Sequence, residues 1–174
     1  MRACFYVIFT LTLLTFSLCY GDDVPQEFWV KANYLLNLPL FVELPKKEQS
    51  CASFSICLIG DTPLEGVLES LKGKRVKKRP LEIRLVTDIS QMECCQVLFV
   101  ASSERYRLQP LLAEAARRGI LTISDMRDFV RQGGMIGLVT VNNRITYELN
   151  QSAARRASIS FDTQLLKLAN DVSR

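Results

Sequence analysis

The sequence predicts an α/β protein: a mostly parallel central sheet with helices on both faces and an antiparallel C-terminal edge hairpin, a Rossmann-like three-layer sandwich. Three observations predict it. Residues 53–59, 96–101 and 120–123 are short apolar runs without a charged side chain, the pattern of strands covered on both faces. Segments of helical periodicity separate these runs, as crossovers between parallel strands require. From Gly133 to Asn150 the chain then reads as a hairpin. Gly133-Gly134 releases a run of β-formers over 135–141, Asn142-Asn143 supplies residues that tolerate positive φ, and Ile145, Tyr147 and Leu149 alternate with Arg144, Thr146 and Glu148.

The chain opens on a targeting segment. Arg2 is followed by an uncharged apolar run over 4–18, and Cys19-Tyr20-Gly21 precedes Asp22-Asp23. The run is short for a bilayer span, which needs about 20 apolar residues, and it is diluted by Thr10, Thr12, Thr15 and Ser17. We read 1–21 as a cleaved signal peptide, 22–174 as one exported domain, and the compartment as periplasmic. Leu18 before Cys19 is too large for the usual lipid-attachment pattern.

Each later element has a local reason. Residues 25–44 read as an amphipathic helix with Pro25 near its first turn; Phe28, Val30, Ala32, Tyr34, Leu35, Leu38 and Phe41 form its apolar face, and Pro39 kinks or ends it. A polar connector at 46–50 leads to the first strand, which ends at Gly60-Asp61-Thr62-Pro63. A short helix over 64–71, a basic loop over 72–80 and an alternating strand over 81–86 follow. The strand over 96–101 is central. A long helix spans 104–118 and stops at Gly119; a fourth strand covers 120–123. Ser124-Asp125 caps a short helix reaching Arg131. After the hairpin, Asn150 caps a helix from Gln151, and a last helix places Leu165, Leu168, Ala169 and Val172 on one face.

Composition excludes several functions. The 174 residues contain no histidine, so no Ser-His-Asp or Cys-His machinery and no imidazole metal site exist. Phosphate-loop and dinucleotide fingerprints are absent, and Gly133-Gly134 precedes a strand, whereas phosphate loops follow one and open a helix. Its reading is a turn with close backbone approach. The acids Glu43 with Glu48 and Asp125 with Asp128 fall at helix ends and loops, where they serve helix dipoles. We read the protein as non-enzymatic, without cofactor or metal. Once Arg2 is set aside from the 22 basic residues, those that remain exceed the 18 acidic by only three, too few to argue for nucleic acid.

Cysteine carries the remaining chemistry. Four lie beyond the leader: Cys51, Cys57, Cys94 and Cys95. An even number in an exported chain reads as disulfides, and adjacent Cys94-Cys95 fits zinc-ligand spacing poorly. Neighbouring strand residues face opposite ways, so these two take different partners. Pairing Cys57 with Cys95 staples the first strand to the third and leaves Cys51 for Cys94; the swapped pairing is the alternative. Two basic groups stand out as partner or membrane-surface patches. One is the run Lys72, Lys74, Arg75, Lys77, Lys78 and Arg79; the other is Arg155-Arg156. The plain reading of both is solvated surface.

Several stretches together resemble the YfiR family: Val30-Lys31-Ala32 with Leu44-Pro45, Ile56-Cys57-Leu58-Ile59-Gly60-Asp61, Cys95-Gln96-Val97-Leu98-Phe99-Val100 and Leu121-Thr122-Ile123-Ser124-Asp125, then Gly133-Gly134-Met135-Ile136, Tyr147-Glu148-Leu149-Asn150, Ala153-Ala154-Arg155-Arg156-Ala157 and Leu165-Leu166-Lys167-Leu168-Ala169. The resemblance implies a periplasmic repressor that binds the periplasmic part of an inner-membrane diguanylate cyclase, lowering cyclic di-GMP and biofilm output, with a homodimer as a further possibility. It implies Cys57–Cys95 as the family's disulfide pair. The chain departs from the family's pattern at Leu44, where a Trp is usual, and has no cysteine after Cys95. A second class of function is a sensor holding an unidentified small ligand in the crevice near Gly60-Asp61 and Ala101-Ser102-Ser103, at the carboxyl ends of the strands.

Overall fold

A computed structural model describes residues 25–45 and 51–173. The expected leader over 1–21, the expected start of the mature chain at Asp22 and the connector at 46–50 lie outside the described residues.

Pro25 precedes helix α1 (Gln26–Asn37), which buries Ala32, Leu35 and Leu36. At Pro39 the missing N–H ends the α-helical ladder. The chain tightens into a 3₁₀ turn over Leu38–Phe41 and leaves as β1 (Val42–Glu43). Strand β2 (Phe54–Ile59) is buried at every residue, as its uncharged sequence requires. Helix α2 (Leu64–Glu69) follows. The basic loop is partly a hairpin: Lys77 and Lys78 take positive φ and turn β3 (Arg75–Val76) back onto β4 (Arg79–Val86). Strand β5 (Val97–Val100) leads into a 3₁₀ turn (Ser102–Arg107), helix α3 (Leu108–Arg118) and β6 (Leu121–Ser124). The hairpin is β7 (Ile136–Val141) and β8 (Arg144–Asn150), with Asn142 and Asn143 at φ 49° and 60° in its turn. Asn150 caps helix α4 (Gln151–Arg156) through the Ala153 amide at 2.8 Å. The chain closes with β9 (Ser160–Phe161), α5 (Thr163–Leu168) and β10 (Asp171–Ser173).

Eight strands form the main sheet in the order β10-β8-β7-β6-β5-β2-β4-β3, while β1 and β9 pair separately. Strands β4, β2, β5, β6 and β7 are parallel, and β8 returns antiparallel to β7. The chain moves from β2 outward to β4, then crosses to the other side of β2 to lay down β5. This reversal is the topological switch point of a doubly wound sheet. Period-two alternation divides the core. Phe54, Ile56, Leu58, Val97, Phe99, Leu121 and Ile123 pack on one face with α1, α2 and α4. Cys57, Ile59, Leu98 and Val100 pack on the other under α3. Fully buried side chains such as Phe99 and Leu98 each contribute roughly 2 kcal/mol of apolar burial.

Three elements differ from the sequence reading, each because a distant partner decides it. The hairpin is not the sheet edge: β10 adds to β8 in parallel register, and the Asn170 amide donates to the Tyr147 carbonyl at 2.8 Å. That pairing ends the tail helix at Leu168, which is 73% exposed rather than on a core face. Residues 125–131 form successive turns rather than a helix. Asp128 adopts φ 60°, which no right-handed helix admits, and Asp125 turns away to Lys31. Gly133-Gly134 is a turn with close approach, as expected: Gly133 sits at φ +101°, and a Cβ on Gly134 would lie 2.1 Å from the Phe129 ring.

Candidate functional site

The cysteines are the chemistry most directly visible in the structure. Cys51 and Cys94 form a disulfide with Cα atoms 5.9 Å apart, closing 43 residues of sequence. Cys94 is not on a strand. It sits in the turn before β5 at φ 53°. Arg84 braces that turn by donating to the carbonyls of Glu93 and Gln91, the latter at 3.0 Å.

The expected Cys57–Cys95 bond is not formed. Both are free thiols with no exposed surface, side by side on the α3 face of the sheet. Their burial supplies the reason. Disulfide exchange needs an attacking thiolate and an accessible sulfur, whereas burial, reinforced by the Cys57 contact, pushes the Cys95 thiol well above its ordinary range. Cys95 Sγ donates instead to the Val97 carbonyl at 3.2 Å. Below it, the Gln96 side chain accepts the Ser55 amide at 2.7 Å, locking β2 to the approach of β5.

The two basic groups lie on different elements. The Lys72–Arg79 group belongs to the β3 edge, and Arg155-Arg156 follows β8. Much of the first group is held by its own surroundings. Lys72 pairs with Glu69, and Arg75 donates to the Lys78 carbonyl. Lys77 reaches the Val42 carbonyl, where burial, and then the nearby Arg79 charge, lower its pKa. Arg79 reaches the Cys51 and Ser53 carbonyls at 3.2 and 3.3 Å and lies 5.2 Å over the Phe54 ring. Arg155 and Arg156 are exposed at the end of α4.

The crevice at the carboxyl ends of the strands exists. It is open, about 520 Å³, and bordered by Gly60, Asp61, Thr62, Glu65, Thr87, Glu104 and Arg107. Gly60 is needed there, since at φ +85° any Cβ would lie 2.4 Å from Ser103 Oγ and 2.7 Å from Glu104 Cγ. The crevice's polar groups largely satisfy one another. Ser103 Oγ accepts the Asp61 amide at 2.9 Å, buried Glu104 holds Arg107, and Arg107 also donates to the Thr87 carbonyl at 3.1 Å.

One buried charge escaped the sequence reading. Lys31, on the core side of α1, is 8% exposed and ion-paired to Glu27 and to Asp125 at 2.7 Å. Burial alone would lower its pKa, but the hydrogen bonds to Asp125 and Glu27 carry it above the ordinary lysine value. The pair ties α1 to the turn after β6. Its only sequence signal was a lysine inside an otherwise apolar helical face.

These features define a doubly wound α/β domain with a switch-point crevice, an external disulfide and an internal dithiol. Residues 29–170 match the family described as YfiR/HmsC-like, so the chain belongs to that family. Among solved structures, similarity is at the level of fold. A Streptococcus pneumoniae ABC domain, determined in complex with L-Trp, superposes with a TM-score of 0.50 at 11% identity, covering 68% of this chain and 55% of that one. A conserved domain protein from Vibrio cholerae O1 biovar El Tor gives 0.50 at 11% identity, covering 74% and 57%. This chain spans a little over half the length of either protein.

Proposed function

We propose that the protein is a non-enzymatic periplasmic regulator that binds the periplasmic part of an inner-membrane diguanylate cyclase and keeps it inactive, lowering cyclic di-GMP and biofilm formation. The observation that carries this reading is membership of the YfiR/HmsC-like family across residues 29–170. Export of residues 22–174 as one domain after removal of 1–21 belongs to the same reading. The leader's composition supports it, and so does a disulfide between cysteines that solvent can reach, since such bonds persist in oxidising compartments. Repression requires that the protein bind the inactive cyclase more tightly than the active one. To move the cyclase from mostly active to mostly inactive (99:1 to 1:99), that preference must reach about 10⁴-fold.

The test is deletion and re-expression in the native host. Cellular cyclic di-GMP should rise on deletion and fall on complementation, and the mature protein should capture a transmembrane cyclase from the membrane fraction. Unchanged cyclic di-GMP, with a cyclase demonstrably expressed, would remove the repressor reading. The switch-point crevice supports a second reading as a small-molecule sensor. A saturable thermal shift with a metabolite in the absence of any membrane partner favours it.

A further inference from the structure

A second basic surface, rich in arginine, lies beside α3 and α4. Between residues 80 and 166 the chain has ten arginines and no lysine. The fold collects several of them. The Arg105 guanidinium donates to the Arg127 carbonyl at 3.4 Å, and the Gln132 side chain donates to the same carbonyl at 3.3 Å. Gln109 of α3 donates to the Gln132 carbonyl at 3.0 Å. Gln109, Gln132 and Arg156 border one cleft of about 180 Å³ between α3 and α4, floored by Leu112, Ala116 and Met135. Gln132 thus connects the cleft that Arg156 borders with the neighbouring turn, which carries Arg127 and Arg131 and receives Arg105.

Among the described residues, opposing charge on this face is limited, with Glu27 and Asp125 sharing a cleft with Arg127. Of the acids in the segments that build it, Glu104 and Glu114 are buried beneath their own arginines, and Asp125 is paired with Lys31. Asp128 is exposed, 3.7 Å from both Arg127 and Arg131. The side chains of Arg127 and Arg131 keep 91% and 84% of their exposure despite that contact, so one aspartate leaves both guanidinium groups open to a second carboxylate.

We propose that this face docks an acidic protein surface, its aspartates and glutamates seated on Arg105, Arg127, Arg131 and Arg156. That the acidic surface belongs to the cyclase rests on the proposed function; the chemistry of the face does not. Three observations favour protein over anionic lipid. Arginine matches a carboxylate with two parallel N–H donors, whereas lysine offers a point charge. Protein interfaces are enriched in arginine and tyrosine and depleted in lysine, and this stretch lacks lysine while Tyr106, 81% exposed, stands next to Arg105. A lipid surface attracts lysine as readily as arginine and would be served by the lysine-rich β3 edge instead.

The test titrates the ¹⁵N-labelled mature protein with a short glutamate-rich peptide and, separately, with phosphatidylglycerol vesicles. Peptide-induced shifts should map to 105–109, 127–132 and 153–156. Shifts confined to the β3 edge, no shifts, or a stronger response of the arginine face to vesicles would overturn the proposal. Arg127→Glu/Arg131→Glu/Arg156→Glu should weaken peptide binding at least tenfold with an unchanged melting temperature. The triple Arg→Lys variant, which keeps every charge, should weaken it several-fold, while Lys74→Glu/Lys78→Glu should leave it alone. Wild-type affinity in the charge-reversed triple refutes the docking face. In membrane capture, a cyclase retained by wild type and lost by the triple supports both readings. If wild type captures no cyclase while the peptide maps to the arginines, the docking face stands and the cyclase assignment falls.

Discussion

Two pairs of cysteines lie within a few residues of one another and have opposite fates. Cys51–Cys94 is a bond at the protein surface, while Cys57 and Cys95 are adjacent thiols sealed beneath α3. Cys94 and Cys95 are consecutive, so neither local sequence nor compartment explains the difference. Access does. Cys94 is exposed in a turn held at φ 53°, and Cys95, one residue later, has no exposed surface and donates to Val97. Folding delivers one sulfur to the oxidant and withdraws the other from it. Proximity is necessary for a disulfide, but a buried thiol that resists ionisation does not take part in exchange.

The largest expected effect breaks the outer pair. Closing 43 residues removes enough unfolded-chain entropy to contribute about 4 kcal/mol. Cys51→Ser should lower the urea midpoint accordingly with little change in slope, and reductant should reproduce the loss in wild type. A loss below about 1 kcal/mol would mean that the reduced chain retains the loop in its unfolded state. The inner pair should behave as small buried hydrophobes. Cys57→Ala or Cys95→Ala should each cost about 1–2 kcal/mol through the cavity left behind, whether or not reductant is present. Thiol labelling sharpens the contrast. Folded protein should leave both inner cysteines unmodified, and alkylation after unfolding without reductant should modify Cys57 and Cys95 and spare Cys51 and Cys94. Mass spectrometry of the labelled peptides decides it, and a Cys57–Cys95 crosslink in the native protein would reverse the assignment.

What could be read from the residues divides along the same line between local and distant causes. The Asn142-Asn143 turn, the Asn150 cap and the uncharged strands were legible because each depends on its own few residues. The tail was not: Asp171–Ser173 become a strand only because β8 offers Glu148–Asn150 as a partner. Nor was the 125–131 turn, since Asp125 is claimed by Lys31 from 94 residues away. Spacing brought Cys57 near Cys95 but carries no information on solvent access. Arg105, Arg127, Arg131 and Arg156 are scattered along the chain, so only the fold could make them one surface, whereas the dense Lys72–Arg79 run drew attention although carbonyls and a carboxylate hold much of it.

The smallest effect sits at the β2 end that the outer disulfide anchors. Glu82 on β4 accepts the hydroxyls of Ser53 at 2.7 Å and Ser55 at 3.1 Å, tying β4 to the residues just past Cys51. The Ser53 hydrogen bond, aided by Ser55 and the Arg84 charge, outweighs partial burial and holds the Glu82 carboxyl below its ordinary value. A depressed carboxylate stabilises the fold above its unfolded pKa, and that contribution is lost as pH falls through the folded value. The window therefore opens near pH 4.5 and extends downward. Because Glu82 is largely exposed, the contribution should stay below about 0.5 kcal/mol. Urea midpoints measured from pH 6 down to pH 3 should fall slightly more steeply for wild type than for Glu82→Gln, with the two converging at the acid end. If the disulfide alone fixes this end of β2, the two curves will run parallel; if the serine hydrogen bonds share the task, removing Cys51 should widen the gap between them, because the carboxylate then restrains a freer segment.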